Sequence, residues 1–186
     1  MTSELDVLKI VSQRLDAAGV AYMLTGSFAM AYYTTPRKTR DLDIVVLLPA
    51  KDVTALATQF SKDFNADVEA VRNASRSEGF FNVMHLASAT KVNFIVCKSA
   101  EYRRAELERR RRVNLGGAEC WIVSREDLIL SKLVWARETG SEQQQRDVRA
   151  LLDDTVDWRY LQRWARELGV EDGLKSLPQG SDSTGA

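Results

Sequence analysis

Two stretches decide the fold: Leu24-Thr-Gly-Ser27 and Arg40-Asp-Leu-Asp-Ile-Val-Val46. The first reads as the end of a buried strand that turns into a helix at its Gly-Ser pair. The second reads as a strand that opens with Asp41 and Asp43. Because successive side chains on a strand point to opposite faces, the two aspartates share a face. Neighbouring carboxylates repel each other unless a cation lies between them. Mg²⁺ commonly takes one or two carboxylates together with substrate phosphates, so the pair predicts a metal–phosphate site.

Each half of this pattern has an ordinary structural explanation as well. Asp-x-Asp is compatible with a solvated strand end, and Gly26 with a tight turn that needs a glycine. Ser27 is predicted to cap the helix that follows. The combination is more informative, because a helix N-terminus favours phosphate and the carboxylate strand supplies the cation that phosphate needs.

Composition and charge exclude several classes of protein. The 186 residues hold 26 acidic and 26 basic side chains, so there is no overall field for nucleic acid or membrane. Cys97 and Cys120 are too few for a disulfide framework, which favours a reducing, cytoplasmic location. The lone histidine, His85, excludes a His-rich zinc site. We expect no signal peptide, and no membrane span because no apolar run approaches roughly 20 residues.

Hydrophobic periodicity predicts an α+β protein: a small mixed β-sheet with flanking helices, followed by C-terminal helices. We expect a single domain over residues 1–175, with its helical part beginning at about residue 124. The Gly/Ser-rich tail, residues 176–186, is predicted to be disordered. Val53, Phe60 and Phe64 predict one long helix, residues 68–78 have no clear assignment, and residues 101–112 predict one strongly charged helix.

Three further residues are candidates for chemistry. Lys132 lies in the middle of an apolar helical stripe, where its ammonium either snorkels to water or meets an anion such as a triphosphate. Asp127 stands three residues after Ser124, as in a capping box. Asp147 either lines a cleft or is an ordinary surface carboxylate.

The strongest positive patch is a run of arginines that predicts contact with tRNA or other RNA. The alternative is a solvated helix whose charge nearby glutamates partly offset. The run consists of Arg103, Arg104, Arg109, Arg110, Arg111 and Arg112.

These residues resemble a nucleotidyltransferase of the polymerase-beta-like superfamily. The resemblance rests on Gly26-Ser27, on Asp41-Leu-Asp43 and on a later strand, Lys91-Val-Asn-Phe-Ile-Val96. The motifs Asp127-Leu-Ile-Leu-Ser-Lys132 and Arg146-Asp147 resemble those of AbiEii-type nucleotidyltransferases, the toxins of type IV toxin–antitoxin systems. The resemblance covers residues 20–152 and implies the nucleotidyltransferase fold.

The resemblance also implies chemistry and site residues. Gly26 and Ser27 would hold the triphosphate of an NTP, and Asp41 and Asp43 would bind Mg²⁺. Lys132 would reach the nucleotide phosphates. Asp147 would be a further active-site carboxylate. The reaction would transfer a nucleoside monophosphate to an acceptor hydroxyl, such as the 3′ end of tRNA, and a cognate antitoxin would be a partner.

Asn93 departs from the superfamily pattern, which usually places a third carboxylate at this position. An asparagine oxygen coordinates a metal weakly and does not accept a proton as a carboxylate does. General-base assistance is typically worth ~10²–10⁴ in rate, so this change predicts reduced activity. Asn93 supports one alternative, a catalytically degenerate module that binds nucleotide or RNA. A small-molecule (antibiotic) nucleotidyltransferase is a separate alternative, which the arginine run does not favour.

Overall fold

The computed structural model describes residues 2–35, 39–49 and 52–177. It divides into two compact units, residues 1–124 and 125–186. The predicted disordered tail lies outside the described residues beyond residue 177. None of the helices in the described part is both long and apolar enough to cross a membrane.

The first unit carries all the strands of the described chain. Its elements are α1 (Glu4–Ala17), β1 (Tyr22–Thr25), α2 (Gly26–Tyr33), β2 (Leu42–Val46), α3 (Val53–Phe60), β3 (Phe64–Asn65), α4 (Val68–Ser77), β4 (Phe80–His85), β5 (Lys91–Val96), α5 (Glu101–Glu108), β6 (Arg111–Leu115) and β7 (Ala118–Ile122). The strands form one seven-stranded sheet in the order β3-β4-β5-β2-β1-β7-β6. The pairs β2–β5 and β1–β7 are parallel and the others antiparallel, so the predicted mixed sheet is confirmed.

The middle of this sheet is its most buried part. All four residues of β1 are buried, and Leu42 and Ile44 of β2 are fully inaccessible. Such strands are buried on both faces, which explains their continuous apolar sequence. A capping box formed by Ser3 and Asp6 opens α1. The central strands thus form a rigid platform for the polar residues at their ends.

The second unit is helical. It contains α6 (Arg125–Thr139), α7 (Glu142–Leu151), α8 (Trp158–Glu167) and the short α9 (Glu171–Lys175). Asp157 caps α8 by accepting a hydrogen bond from the backbone N–H of Tyr160 at 3.0 Å, as its position predicts. Leu177, inside the segment predicted as a tail, is buried.

The prediction of a long helix through Phe64 was wrong. The helix α3 ends at Phe60, and Phe64 lies in β3, paired with His85. Phe64 still packs edge-on against Phe60, with the ring centroids 5.1 Å apart. The spacing of the two phenylalanines fits a helix, but a turn and a strand bring the same rings together.

The two remaining corrections concern helices. Residues 68–78, which had no clear assignment, contain α4, capped by the Asp67 carboxylate and burying only Val71 and Ala74. Only two of its ten residues are buried, so the segment contains little apolar sequence to mark it as a packed helix. The charged helix predicted to Arg112 ends at Glu108, with Arg109 as its C-cap, and Arg111 and Arg112 belong to the hairpin strand β6.

Candidate functional site

Asp43 occupies the middle of the first unit's sheet. It lies in β2, opposite Thr25 of β1 on one side and Asn93 of β5 on the other. Asp41 immediately precedes β2 and is exposed, whereas the intervening Leu42 is fully buried. Exposure thus alternates along these three residues, and the prediction that the two carboxylates share a face stays a prediction.

Two neighbours fix the Asp43 carboxylate. The side-chain amide of Asn93 donates a hydrogen bond from Nδ2 to Oδ1 of Asp43 at 2.9 Å. The other oxygen lies against Gly26, where an added Cβ would come within 2.2 Å of Oδ2. Gly26 also has a φ of +67°, in the left-handed region that side chains rarely adopt. Only glycine meets both requirements, so the glycine is needed for more than a tight turn.

The start of helix α2 therefore meets the Asp43 carboxylate. The helix begins at Gly26, and its N-cap is Thr25, which makes no side-chain capping hydrogen bond. The prediction that Ser27 caps this helix was wrong, because Ser27 is already its second residue. The positive end of the helix dipole and a carboxylate thus lie side by side. This combination suits a phosphate bound together with a cation.

The donor set fits a magnesium ion whose remaining ligands come from substrate. Among residues 2–35, 39–49 and 52–177, no cluster of three or more His, Cys, Asp or Glu side chains forms a metal site. Two carboxylates are nevertheless enough for Mg²⁺, which dehydrates reluctantly and accepts phosphate oxygens and water. Asn93 contributes a hydrogen bond to Asp43, and its predicted role as a weak ligand stays a prediction.

The second unit contains a buried ion pair between Lys132 of α6 and Asp147 of α7. The Lys132 ammonium lies 2.6 Å from Oδ2 of Asp147, and both side chains are at most 5% exposed. Gln144 accepts a second hydrogen bond from Lys132 at 3.1 Å, and Gln143 donates one to Oδ1 of Asp147 at 2.7 Å. The lysine thus has an anion within its own unit. Sequence reasoning singled out both charges but missed the pairing and the two glutamines.

Asp127 is fully buried in the same unit. The hydroxyl of Tyr160 donates a hydrogen bond to its Oδ1 at 2.7 Å, across from α8. The carboxylate therefore links two helices, and its capping role stays a prediction.

Several residues of the arginine run have partners within the chain. Arg103 pairs with the buried Glu106 at 2.8 Å. Burial favours the neutral form of Arg103, but the Glu106 carboxylate outweighs it and the pKa of Arg103 is raised. Arg110 and Arg112 both lie over the ring of Trp121, at 4.6 Å and 5.6 Å from its centroid. Several of these cations thus have structural partners, which weakens the pattern as evidence for RNA.

Comparison with solved structures gives clear likenesses at low sequence identity. An antigenic nucleotidyltransferase-like protein from Paracoccidioides brasiliensis matches with a TM-score of 0.55 and 16% identity, over 96% of this chain and 95% of that one. A candidate nucleotidyltransferase from Thermotoga maritima matches with a TM-score of 0.52 and 18% identity, over 76% and 90%. The antibiotic-resistance factor ANT(2″)-Ia matches with a TM-score of 0.55 and 11% identity, over 92% and 91%.

The chain has the nucleotidyltransferase fold. This confirms the fold that the motifs around Gly26 and Asp43 imply. No protein-family model matches the sequence, and no curated protein does. At these identities the likeness carries the fold and leaves the activity to be argued from the site.

Proposed function

We propose that the protein is a Mg²⁺-dependent nucleotidyltransferase that transfers a nucleoside monophosphate from an NTP to an acceptor hydroxyl. The observation that carries the proposal is the contact between the Asp43 carboxylate and Gly26 at the start of α2. The proposed metal ligand and the helix end proposed to bind phosphate are therefore adjacent. They lie on a fold that this chain shares with nucleotidyltransferases.

Each part of the site has a defined task in this reaction. The N–H groups at Gly26 and Ser27 bind the triphosphate. Asp41 and Asp43 hold Mg²⁺, which when bound offsets the negative charge of the phosphates. The acceptor oxygen attacks the α-phosphorus in line, the bond to the β-phosphate oxygen breaks, and pyrophosphate leaves. The hydroxyl proton passes to a carboxylate or to water, because the Asn93 amide is no base.

We further propose RNA, such as the 3′ end of tRNA, as the acceptor, and a toxin-like role of the AbiEii type with a cognate antitoxin. The Lys132 and Asp147 motifs support this finer assignment through the family resemblance. In this reading Lys132 reaches the nucleotide phosphates and Asp147 is an active-site carboxylate.

The test is NMP transfer from each of the four radiolabelled NTPs to total RNA, total protein and a panel of aminoglycosides, with Mg²⁺ or with EDTA. We expect label on RNA in the presence of Mg²⁺ and no label in EDTA. Asp41→Asn should lower the rate at least 100-fold without unfolding the protein, because Asp41 is exposed. Asp154→Asn is the matched control, since it removes another exposed carboxylate with no assigned role. Label on an aminoglycoside instead of RNA would identify a small-molecule enzyme.

Asn93 favours one second candidate function, a nucleotide-binding module without turnover. Its amide stands where the superfamily usually has a third carboxylate, and it donates a hydrogen bond to Asp43. Calorimetry distinguishes the two cases. Saturable NTP binding in Mg²⁺ with no label on any acceptor would refute the enzyme and support the module.

A further inference from the structure

The outward face of strands β4 and β5 is an apolar surface that runs into the candidate site. In β4 the exposed residues Phe80, Asn82 and Met84 alternate with buried ones. Phe80 is 74% exposed and Met84 45%. Exposed side chains of this size on a sheet face indicate a contact surface rather than a packing requirement.

The register of the sheet joins this surface to Asp43. Asn82 lies opposite Asn93, and Asn93 lies opposite Asp43 and donates a hydrogen bond to it. Phe80 lies opposite Ile95, two residue pairs further along and on the same face of the sheet. With strands about 4.8 Å apart and a rise of about 3.4 Å per residue, Phe80 and Asp43 are separated by about 12 Å.

The composition of this face selects its occupant. We call it the β4–β5 platform: Phe80, Asn82 and Met84 of β4 with Lys91, Asn93 and Ile95 of β5. It offers an aromatic ring, aliphatic side chains, two amides and one cation, and it contains no carboxylate of its own. A polycationic antibiotic would find no counter-charge there except at Asp43. A nucleobase, by contrast, finds a ring to stack on, amides for its edge, and a lysine for its phosphate.

We propose that the β4–β5 platform binds the acceptor as a single-stranded RNA end, with an unpaired base stacked on Phe80. The inference rests on the proposed function, whose acceptor it places and defines. Duplex RNA does not fit, because its bases are already stacked on each other and present no free face. Stacking is tolerant of sequence, so the platform selects an unpaired end rather than a particular base.

Binding of a fluorescein-labelled single-stranded RNA of ten nucleotides, measured by anisotropy without NTP, tests the platform separately from turnover. We expect Phe80→Ser to weaken binding about 5- to 100-fold, the range for loss of one stacked base. Leu47→Ser is the control, because Leu47 is another exposed large apolar residue (47%, against 74% for Phe80) and lies outside the platform. It should leave binding unchanged, and a hairpin RNA with no overhang should bind weakly to every variant.

A second variant, Phe80→Trp, provides a direct signal. The stacked base should quench the new indole, and this quenching should be absent with the hairpin RNA. Mg²⁺-ATP binding should be the same in the wild type and in Phe80→Ser, which shows that the variant is folded.

The outcomes separate the inference from the proposed function. Single-stranded RNA binding that Phe80→Ser leaves intact overturns the platform, and so does NMP transfer by a wild type that binds no single-stranded RNA. Phe80-dependent binding without transfer from any NTP supports the platform and refutes the enzyme. Binding of hairpin and single strand with equal affinity also overturns it.

Discussion

Replacing Asn93 by aspartate is the sharpest perturbation that the site offers. In the wild type the Asn93 amide donates a hydrogen bond to Asp43 over 2.9 Å. In Asn93→Asp a second carboxylate takes the donor's place, so a hydrogen bond becomes a repulsion. The change adds one negative charge and alters the volume very little. Stability in the absence of metal should therefore fall through electrostatics alone.

The magnitude follows from the geometry. Two charges about 4 Å apart repel by about 4 kcal/mol at an effective dielectric of 20. Protonating one carboxyl would remove the repulsion, but at pH 7 it costs a similar amount. The cost is about 1.4 kcal/mol for each of the roughly three units between the ordinary pKa of an aspartate and pH 7. Since both side chains are partly exposed, solvent lowers the cost, and we expect a loss of about 2–3 kcal/mol. For a chain of this length that corresponds to a melting temperature lower by about 5–10 °C.

Calorimetric melting in EDTA and in 10 mM Mg²⁺ is the assay. The ion should restore most of the lost stability in Asn93→Asp, because it would bind between the two carboxylates that repel each other. It should raise the melting temperature of the wild type less. Lowering the pH from 7 to 5 should also restore stability, since mutual repulsion raises the pKa of the carboxyl pair. Asn65→Asp is the control, because it makes the same change on the edge strand of the same sheet. Equal melting temperatures for Asn93→Asp and the wild type in EDTA would refute the geometry, as would an equal Mg²⁺ response in Asn93→Asp and Asn65→Asp.

Three further predictions follow from other contacts. Gly26→Ala should abolish nucleotide binding in calorimetry and cost about 1–2 kcal/mol in urea unfolding, because of its positive φ and the contact with Asp43; retained binding would contradict this. Lys132→Met should cost about 3–5 kcal/mol by leaving Asp147 buried without its cation, whereas adding Asp147→Leu should recover most of the loss; additive losses in this double-mutant cycle would refute the pairing. Burial raises the pKa of the Cys120 thiol to about 11, so its neutral form contributes stability below about pH 9 that is lost as the pH rises towards 11. The free energies of unfolding of the wild type and Cys120→Ala, measured in urea, should converge over that range by on the order of 2 kcal/mol. Parallel pH dependences of the two would contradict the raised pKa.

The fold was predictable where local pattern and tertiary structure agree. The strand that carries Asp43 is apolar on both sides of it because it lies at the centre of the sheet, and the turn at Gly26 has the residue that a positive φ requires. Prediction failed where two structures satisfy the same spacing. Phe60 and Phe64 contact each other with or without a helix between them, so periodicity alone does not distinguish the two.

The candidate site was predictable in its residues but not in its contacts. Asp43 and Asn93 are fifty positions apart, and their pairing depends on the parallel register of β2 and β5, which no local pattern encodes. Lys132 was recognisable because a lysine in an apolar stripe needs a partner. Which anion fills that role depends on how α6 and α7 pack, and the structure gives Asp147.

The Asn93 amide has a physical consequence for how the site is prepared for metal. Three carboxylates on one face repel each other, so such a site is ordered only once a cation is bound. Here Asp43 is held by an amide donor and by the backbone at Gly26, and neither contact requires a metal. Under the proposed function, the side chain is therefore positioned before Mg²⁺ and nucleotide bind, which lowers the cost of ordering on binding. Compared with a third carboxylate, the Asn93 amide offers no proton acceptor near the attacking hydroxyl. Under the proposed function, Asn93 therefore slows the chemical step. Under the proposed function, Asn93→Asp should then be less stable than the wild type without metal but turn over faster in saturating Mg²⁺. A variant that is both less stable in EDTA and slower in Mg²⁺ would contradict this account of the site.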